Sequence, residues 1–352
     1  VIFENEELVG TSTAEVFNRA GESALIPGCT HNMRVPYDWT SILRDMLIDA
    51  GSENLLIFRT CREESGRTVK DMSQYNDILY HVEDRVARIT LNAPEKRNAL
   101  SFRMRDEMIN ALRTAEADDE VTVVLIDAAG PSFCSGYDLS PRDPDYKKEG
   151  FMTSRHYDSW TDQFARSCVR DWMVIWDLMK PVVAKIHGHC VAGGTEILSM
   201  VDIAFVADDA RIGYPAMRGM TSPDTLYFPW KMSMAQAKYL QLTGNSVSGS
   251  EAAEMGWVAK SFPADELEDQ VMREVRPLSK IAPDLLAANK HSVNQAYEIM
   301  GFKTALAQGW QWHVLSGRVR PDAGGFAEAM KEGGFKAALE WRDGPFKEEG
   351  FD

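Results

Sequence analysis

From Tyr75 onward the hydrophobic and polar positions fall into a readable rhythm. Residues 78–82 and 86–91 alternate apolar with polar around Glu83-Asp84, the period of two half-buried strands, and predict a hairpin. Residues 92–98 form a polar, proline-containing loop. The period then lengthens: across residues 102–115, Met104, Met108, Leu112 and Ala115 share one helix face. Residues 121–126 and 181–186 are short β-branched apolar runs, the mark of strands buried on both faces. Residues 203–206 and 258–262 predict two further strands, with a helix at 194–200 before the first of them. Helices are expected at 235–242, 250–255, 263–276, 282–300, 302–317 and 326–341. Strands separated by helices imply an α/β fold of ββα units joined by right-handed crossovers.

Two stretches carry a weaker rhythm. Within residues 1–74, a helix over 39–50 (Ile42, Leu43, Met46 and Leu47 on one face), a short strand at 55–58 and a polar loop at 60–73 are expected. This part is an N-terminal extension, either an added subdomain or an arm against a neighbouring subunit. Residues 140–178 are long and aromatic, with Trp160, Phe164, Trp172 and Trp176 among them. They either shape a substrate pocket or fill the core as an amphipathic helix.

Charge and cysteine content narrow the function classes. Fifty-three acidic against 38 basic residues give a net charge of −15, which argues against nucleic acid or an anionic membrane as partner. An anionic small molecule needs only a local basic patch. No apolar stretch is long enough to span a bilayer; the most apolar region, 181–207, is broken by Lys185, His187, His189, Glu196 and Asp202. Five cysteines without a C-x-x-C pair suit reduced thiols in a cytoplasmic protein, with neither zinc nor a disulfide framework.

The candidate chemistry follows the two buried strands. One leads into Phe133-Cys134-Ser135-Gly136-Tyr137-Asp138, the other into Ala192-Gly193-Gly194-Thr195-Glu196 at a helix start. Glycines at a helix N-terminus expose N–H groups where the dipole favours negative charge. Two such loops aimed at one point can form an oxyanion hole for a thioester enolate. Glu196, in the first helical turn, is close enough to move protons, although a carboxylate there also suits the helix dipole alone.

These residues resemble the crotonase (enoyl-CoA hydratase/isomerase) superfamily. Five elements appear in the family's order: Asn92-Ala93-Pro94-Glu95-Lys96-Arg97-Asn98-Ala99-Leu100, the Phe133–Leu139 segment, Lys180-Pro181 through His187-Gly188, Ala192–Glu196 continued by Asp202–Ala207, and Leu242-Thr243-Gly244 with Ala252–Val258. The resemblance implies a ββα spiral over 75–275, with residues 276–352 as a helical capping and trimerisation region, assembled as a homotrimer or dimer of trimers. It puts the oxyanion N–H groups on Tyr137 and Gly193, and the coenzyme A contacts on Lys96, Arg97, Asn98, Ala99, Leu100 and Ser135. Coenzyme A enters as part of the substrate; no metal or further cofactor is implied.

Glu196 matches the first of the family's two catalytic glutamates. The second position holds Ala216, so a two-glutamate mechanism does not carry over. Asp224, after Pro223, stands where most members have glycine; it is read as a base, nucleophile or water-positioning group, or as a turn residue. Trp160, His189, Ala216 and Tyr227 are assigned to the substrate pocket. The expected reaction is hydration or dehydration of an α,β-unsaturated acyl-CoA. The alternatives are C–C hydrolysis or double-bond isomerisation of a cyclic or aromatic acyl-CoA, and a non-catalytic acyl-CoA-binding module.

Overall fold

The computed structural model of the chain describes residues 75–140, 163–318 and 320–351, together with two short strands nearer the N-terminus. It divides into two compact units, Val1–Asp71 and Met72–Asp352. In the first, β1 (Ala14–Phe17) pairs antiparallel with β2 (Ser23–Ile26). The helix expected at 39–50, the strand at 55–58 and the pocket residue Trp160 lie outside the described residues.

The second unit begins with the expected hairpin, β3 (Ile78–Glu83) against β4 (Val86–Leu91). Asp84 and Arg85 close it with φ of 49° and 65°, the positive values that a two-residue turn needs to match strand twist. Helix α1 (Phe102–Ala117) is capped by the Ser101 hydroxyl, which accepts from the Met104 N–H, and it buries Met104, Met108, Leu112 and Ala115. Strand β5 (Val123–Ala128) is buried at every position, as a continuous apolar run predicts.

After α2 (Gln163–Asp177) come β6 (Val182–Ile186), β7 (His189–Val191), α3 (Gly193–Met200), β8 (Ile203–Ala207) and β9 (Arg211–Gly213). Then follow α4 (Phe228–Lys231), α5 (Met234–Thr243), β10 (Ser246–Ser248), α6 (Gly249–Glu254) and β11 (Lys260–Phe262). Helices α7 (Leu267–Leu278), α8 (Pro283–Ile299), α9 (Phe302–Arg318) and α10 (Gly325–Glu348, kinked at Gly334) complete the unit.

The main sheet runs β11-β8-β6-β5-β4-β3, parallel except for the β3–β4 hairpin, and a second sheet runs β10-β9-β7. The segments leaving β5 and β6 are laced together: Phe133 N–H donates to His187 O at 2.9 Å and Cys134 N–H to His189 O at 2.9 Å. Both glycine-bearing loops therefore leave adjacent parallel strands at the same sheet end. Of the 140–178 stretch, α2 is the amphipathic core helix, burying Ala165, Cys168, Trp172, Ile175 and Trp176. Helix α7 starts later than the expected 263, because 263–266 form a turn closed by Glu266 N–H to Pro263 O.

Candidate active site

Each loop presents one backbone N–H by a local constraint. Leu100 N–H donates to Gly136 O (2.8 Å) and Asp138 N–H donates to Leu100 O (3.1 Å). That ladder leaves the Tyr137 N–H pointing away from Leu100. Gly193 opens α3, so its N–H has no intrahelical acceptor. Gly136 has φ of +98°, and a methyl group on it would lie 2.9 Å from Ala192 Cβ and 3.6 Å from Gly193 N. The two loops can approach this closely only because position 136 is glycine. Ala192 is held at φ 50°, ψ −122°, a conformation costly for a residue with a Cβ. Its N–H donates to Gly213 O (3.0 Å), and its carbonyl accepts from Thr195 N–H and Thr195 Oγ1 (2.9 and 2.6 Å).

Glu196 is 0 % exposed. Tyr137 OH contacts its Oε2 at 2.6 Å, and Trp172 Nε1–H is shared between that Oε2 (3.1 Å) and Tyr137 OH (3.0 Å). The Asp224 N–H donates to Oε1 at 3.1 Å. Burial, and after it the neighbouring Asp224 carboxylate, push the Glu196 carboxyl well above its ordinary value, against the pull of the Tyr137 hydrogen bond. Asp224 is also 0 % exposed. Its Oδ1 lies 2.8 Å from His313 Nδ1, a nitrogen that also donates to Ser222 O at 3.0 Å. Because a carbonyl only accepts, Nδ1 carries the hydrogen. Gly309 lets α9 lie on this segment, since a Cβ there would be 2.6 Å from Asp224 O.

The structure thus brings Glu196, Asp224, Tyr137 and Gly193 together, and it adds three residues that the sequence analysis did not assign: Trp172, His313 and Arg105. Arg105 on α1 is fully buried, with one Nη 2.5 Å from Asp171 Oδ2 and 3.0 Å from Ser167 Oγ. Its guanidinium carbon stands 5.5–5.8 Å from the ring centres of Phe102, Tyr137, Phe164 and Trp172. An arginine at the fourth position of an amphipathic helix gives no warning of this. His313 has a faint signal only, the glycine four residues before it on α9.

The other expected site residues fall in three places. Lys96 and Arg97 are exposed on a 3₁₀ turn, Pro94–Lys96, and its following residue. Ser135 sits beside them, its hydroxyl donating to Lys96 O (3.2 Å), and Lys96 Nζ pairs with Asp138 at 3.1 Å. Ala99 follows half-buried, while Leu100 is buried with its Cδ1 against Gly193. His189 is exposed and stands near Ser132, with burial and then Arg97 and Arg211 holding it below its ordinary value. The structure therefore groups His189 with the basic loop rather than with Glu196. Tyr227 is buried with its hydroxyl 2.5 Å from Thr195 Oγ1, and Ala216 is buried in a short 3₁₀ turn.

Asn98 is a different case. Its Oδ1 accepts from Ala93 N–H and its Nδ2 donates to Ala129 O and Ser132 O, each at 2.8 Å. At φ 53° it is one of the few residues suited to that conformation. The side chain thus ties the basic loop to the β5 exit. Asn98→Ala is expected to cost about 3 kcal/mol, the loss of three buried hydrogen bonds with partners stranded; urea unfolding measures it.

Comparison with known proteins decides the family. The sequence pattern of the enoyl-CoA hydratase/isomerase family matches residues 81–315. The chain belongs to this family. Among its curated relatives, EchA13 of Mycobacterium tuberculosis is 30% identical over 72% of this chain and 85% of its own. The hydroxycinnamoyl-CoA hydratase-lyase of Pseudomonas fluorescens is 30% identical over 64% of this chain and 81% of its own. The crystal structure of an enoyl-CoA hydratase from Mycobacterium smegmatis superposes with a TM-score of 0.71 at 31% identity, covering 78% of this chain and 96% of its own. Crotonase superfamily membership and the α/β spiral fold expected from the five sequence elements are borne out. Among the described residues no helix is long and apolar enough to cross a membrane.

Proposed function

We propose that this enoyl-CoA hydratase/isomerase family member stabilises the enolate of an acyl-CoA thioester and adds or removes water across the α,β-bond. The thioester carbonyl sits at the Tyr137 and Gly193 N–H groups, which receive the charge as it develops. Lys96, Arg97 and Ser135, with the backbone of Ala99 and Leu100, face the coenzyme A phosphates and adenine. Glu196 and Asp224 handle the proton. The observation that carries this reading is the buried Glu196 carboxyl, which accepts from the Asp224 backbone N–H at 3.1 Å and from the hydroxyl of Tyr137, one of the two oxyanion residues. Burial, and after it the Asp224 carboxylate, raise the Glu196 carboxyl well above its ordinary value, so Glu196 can hold a proton for delivery, as acid–base work needs.

A second reading, C–C cleavage or isomerisation of an aromatic or cyclic acyl-CoA, draws support from Ala216 at the second-glutamate position. It also draws on the relative named as a hydroxycinnamoyl-CoA hydratase-lyase. Mass spectrometry of the protein with short, long and aromatic enoyl-CoAs and cyclic β-oxoacyl-CoAs separates the two. A gain of one water on an intact skeleton supports hydration; a severed chain or opened ring supports the second. Asp224→Asn is expected to lower kcat by about 10²-fold or more in either case. An unchanged rate would return Asp224 to the role of a turn residue.

A further inference from the structure

Resting on the acyl-CoA reading above, we infer that the Tyr137 phenol, and not Glu196 itself, is the group that exchanges the proton with the substrate, with Glu196 as its proton store. Three observations carry this. First, Glu196, Asp224 and Trp172 are each 0 % exposed, whereas Tyr137 is only half-buried. Of these four residues, Tyr137 alone is not fully covered, while its hydroxyl is held against Glu196 and Trp172. Second, both Glu196 oxygens are engaged: Oε2 meets the Tyr137 hydroxyl and the Trp172 indole N–H, and Oε1 meets the Asp224 N–H. Third, the Tyr137 ring lies against the oxyanion glycine, since a methyl group on Gly193 would be 3.0 Å from Tyr137 Cε2 and Cζ. The side chain and backbone of one residue thus border both the α-carbon and the carbonyl oxygen of a bound thioester.

Burial, and after it Cys168, Glu196 and Asp224, hold the Tyr137 phenol well above its ordinary value, so it passes one proton on as it receives another and stays neutral. Trp172 Nε1–H donates to its oxygen, and the Arg105 guanidinium stands 5.5 Å from the ring centre with Nε and Nη1 making no hydrogen bond. In the direction of α-carbon protonation, the Tyr137 O–H bond breaks and its hydrogen forms a bond to the α-carbon as the Glu196 proton passes to the Tyr137 oxygen, which leaves Glu196 as the carboxylate. The electron pair for the new C–H bond comes from the enolate, whose oxygen lies between the Tyr137 and Gly193 N–H groups and becomes the thioester carbonyl oxygen again. The reverse step takes a proton from the α-carbon and restores the Glu196 acid. Trp172 and Arg105 are positioning residues.

Tyr137→Phe tests this cleanly, because it removes the hydroxyl and leaves the backbone N–H in place. Two readouts are needed: kcat on the enoyl-CoA that the wild type turns over, and ultraviolet absorbance of the enolate formed when a 3-oxoacyl-CoA binds. The expected result is unchanged 3-oxoacyl-CoA affinity, loss of the enolate band and a fall in kcat of about 10²–10³-fold. Trp172→Phe, which keeps the hydroxyl but removes its donor, is expected to shift the enolate band's appearance to higher pH. A Tyr137→Phe protein that forms the enolate and turns over like wild type overturns the inference and leaves the acyl-CoA reading standing. A wild type that binds no 3-oxoacyl-CoA overturns both.

Discussion

Replacing Glu196 with glutamine is expected to lower turnover by about 10²–10⁴-fold, the span set by losing one acid–base group, while making the folded state relatively more robust as pH rises. The second effect follows from burial. In the folded chain the Glu196 carboxyl holds its proton well above the ordinary glutamate range. Below that range the proton is bound in both states and the group costs nothing. As pH rises past the ordinary value, the unfolded chain releases the proton and the folded chain keeps it. Stability therefore declines until pH passes the folded value. Glutamine carries no such proton. Its amide does set a donor against the Asp224 N–H that now serves Oε1, an offset that does not vary with pH. Melting curves from pH 4 to 9 should show the difference, Glu196→Gln minus wild type, becoming steadily more positive. A flat difference would mean that Glu196 is not held protonated by its surroundings.

Gly136→Ala is the second substitution with a large expected effect. The residue's φ of +98° is outside the range that L side chains adopt readily, and the new methyl would meet Ala192 Cβ at 2.9 Å. Ala192 is itself held at φ 50°, with its N–H and carbonyl already committed, and it has little freedom to move aside. The strain should therefore separate the Tyr137 and Gly193 N–H groups. Losing alignment of one oxyanion donor costs about 10²–10³-fold in kcat; the backbone itself costs about 1–2 kcal/mol in stability. Gly256→Ala is the matching control: its φ is +78° and a methyl there meets nothing within 4 Å. It should lose similar stability with no change in kcat. Equal kcat losses in the two variants would show that strain, rather than donor geometry, is responsible.

Legibility in the sequence tracked how local the cause was. The β3–β4 hairpin, α1 and the fully apolar β5 could be read directly, because a period of two, a period of 3.6 or an unbroken apolar run reflects burial within a few residues. Strands β7, β9 and β10 were missed. Each is three residues long, and among the described strands they pair only with one another, in the order β10-β9-β7, which no local pattern encodes. The same division holds in the site. Gly136, Gly193 and Glu196 were legible because glycine and the helix start fix their geometry locally. Asp224 stood out against the family pattern, but its contact with Glu196 spans 28 residues. Trp172 and Arg105 looked like ordinary members of amphipathic helices; only packing shows that they enclose Tyr137. Asn98, expected among the coenzyme A contacts, spends its side chain on the chain's own backbone, a use that its loop position did not signal.

The placement of α9 has a consequence for how the protein is made. His313 and Gly309, which close over Asp224, are synthesised long after Glu196 and Asp224 have left the ribosome. Until α9 emerges and docks, the nascent chain can fold its sheet, but the Asp224 segment lacks the His313 imidazole and the helix face that Gly309 lets approach it. The site is thus completed last, by a helix that contributes no strand to the sheet.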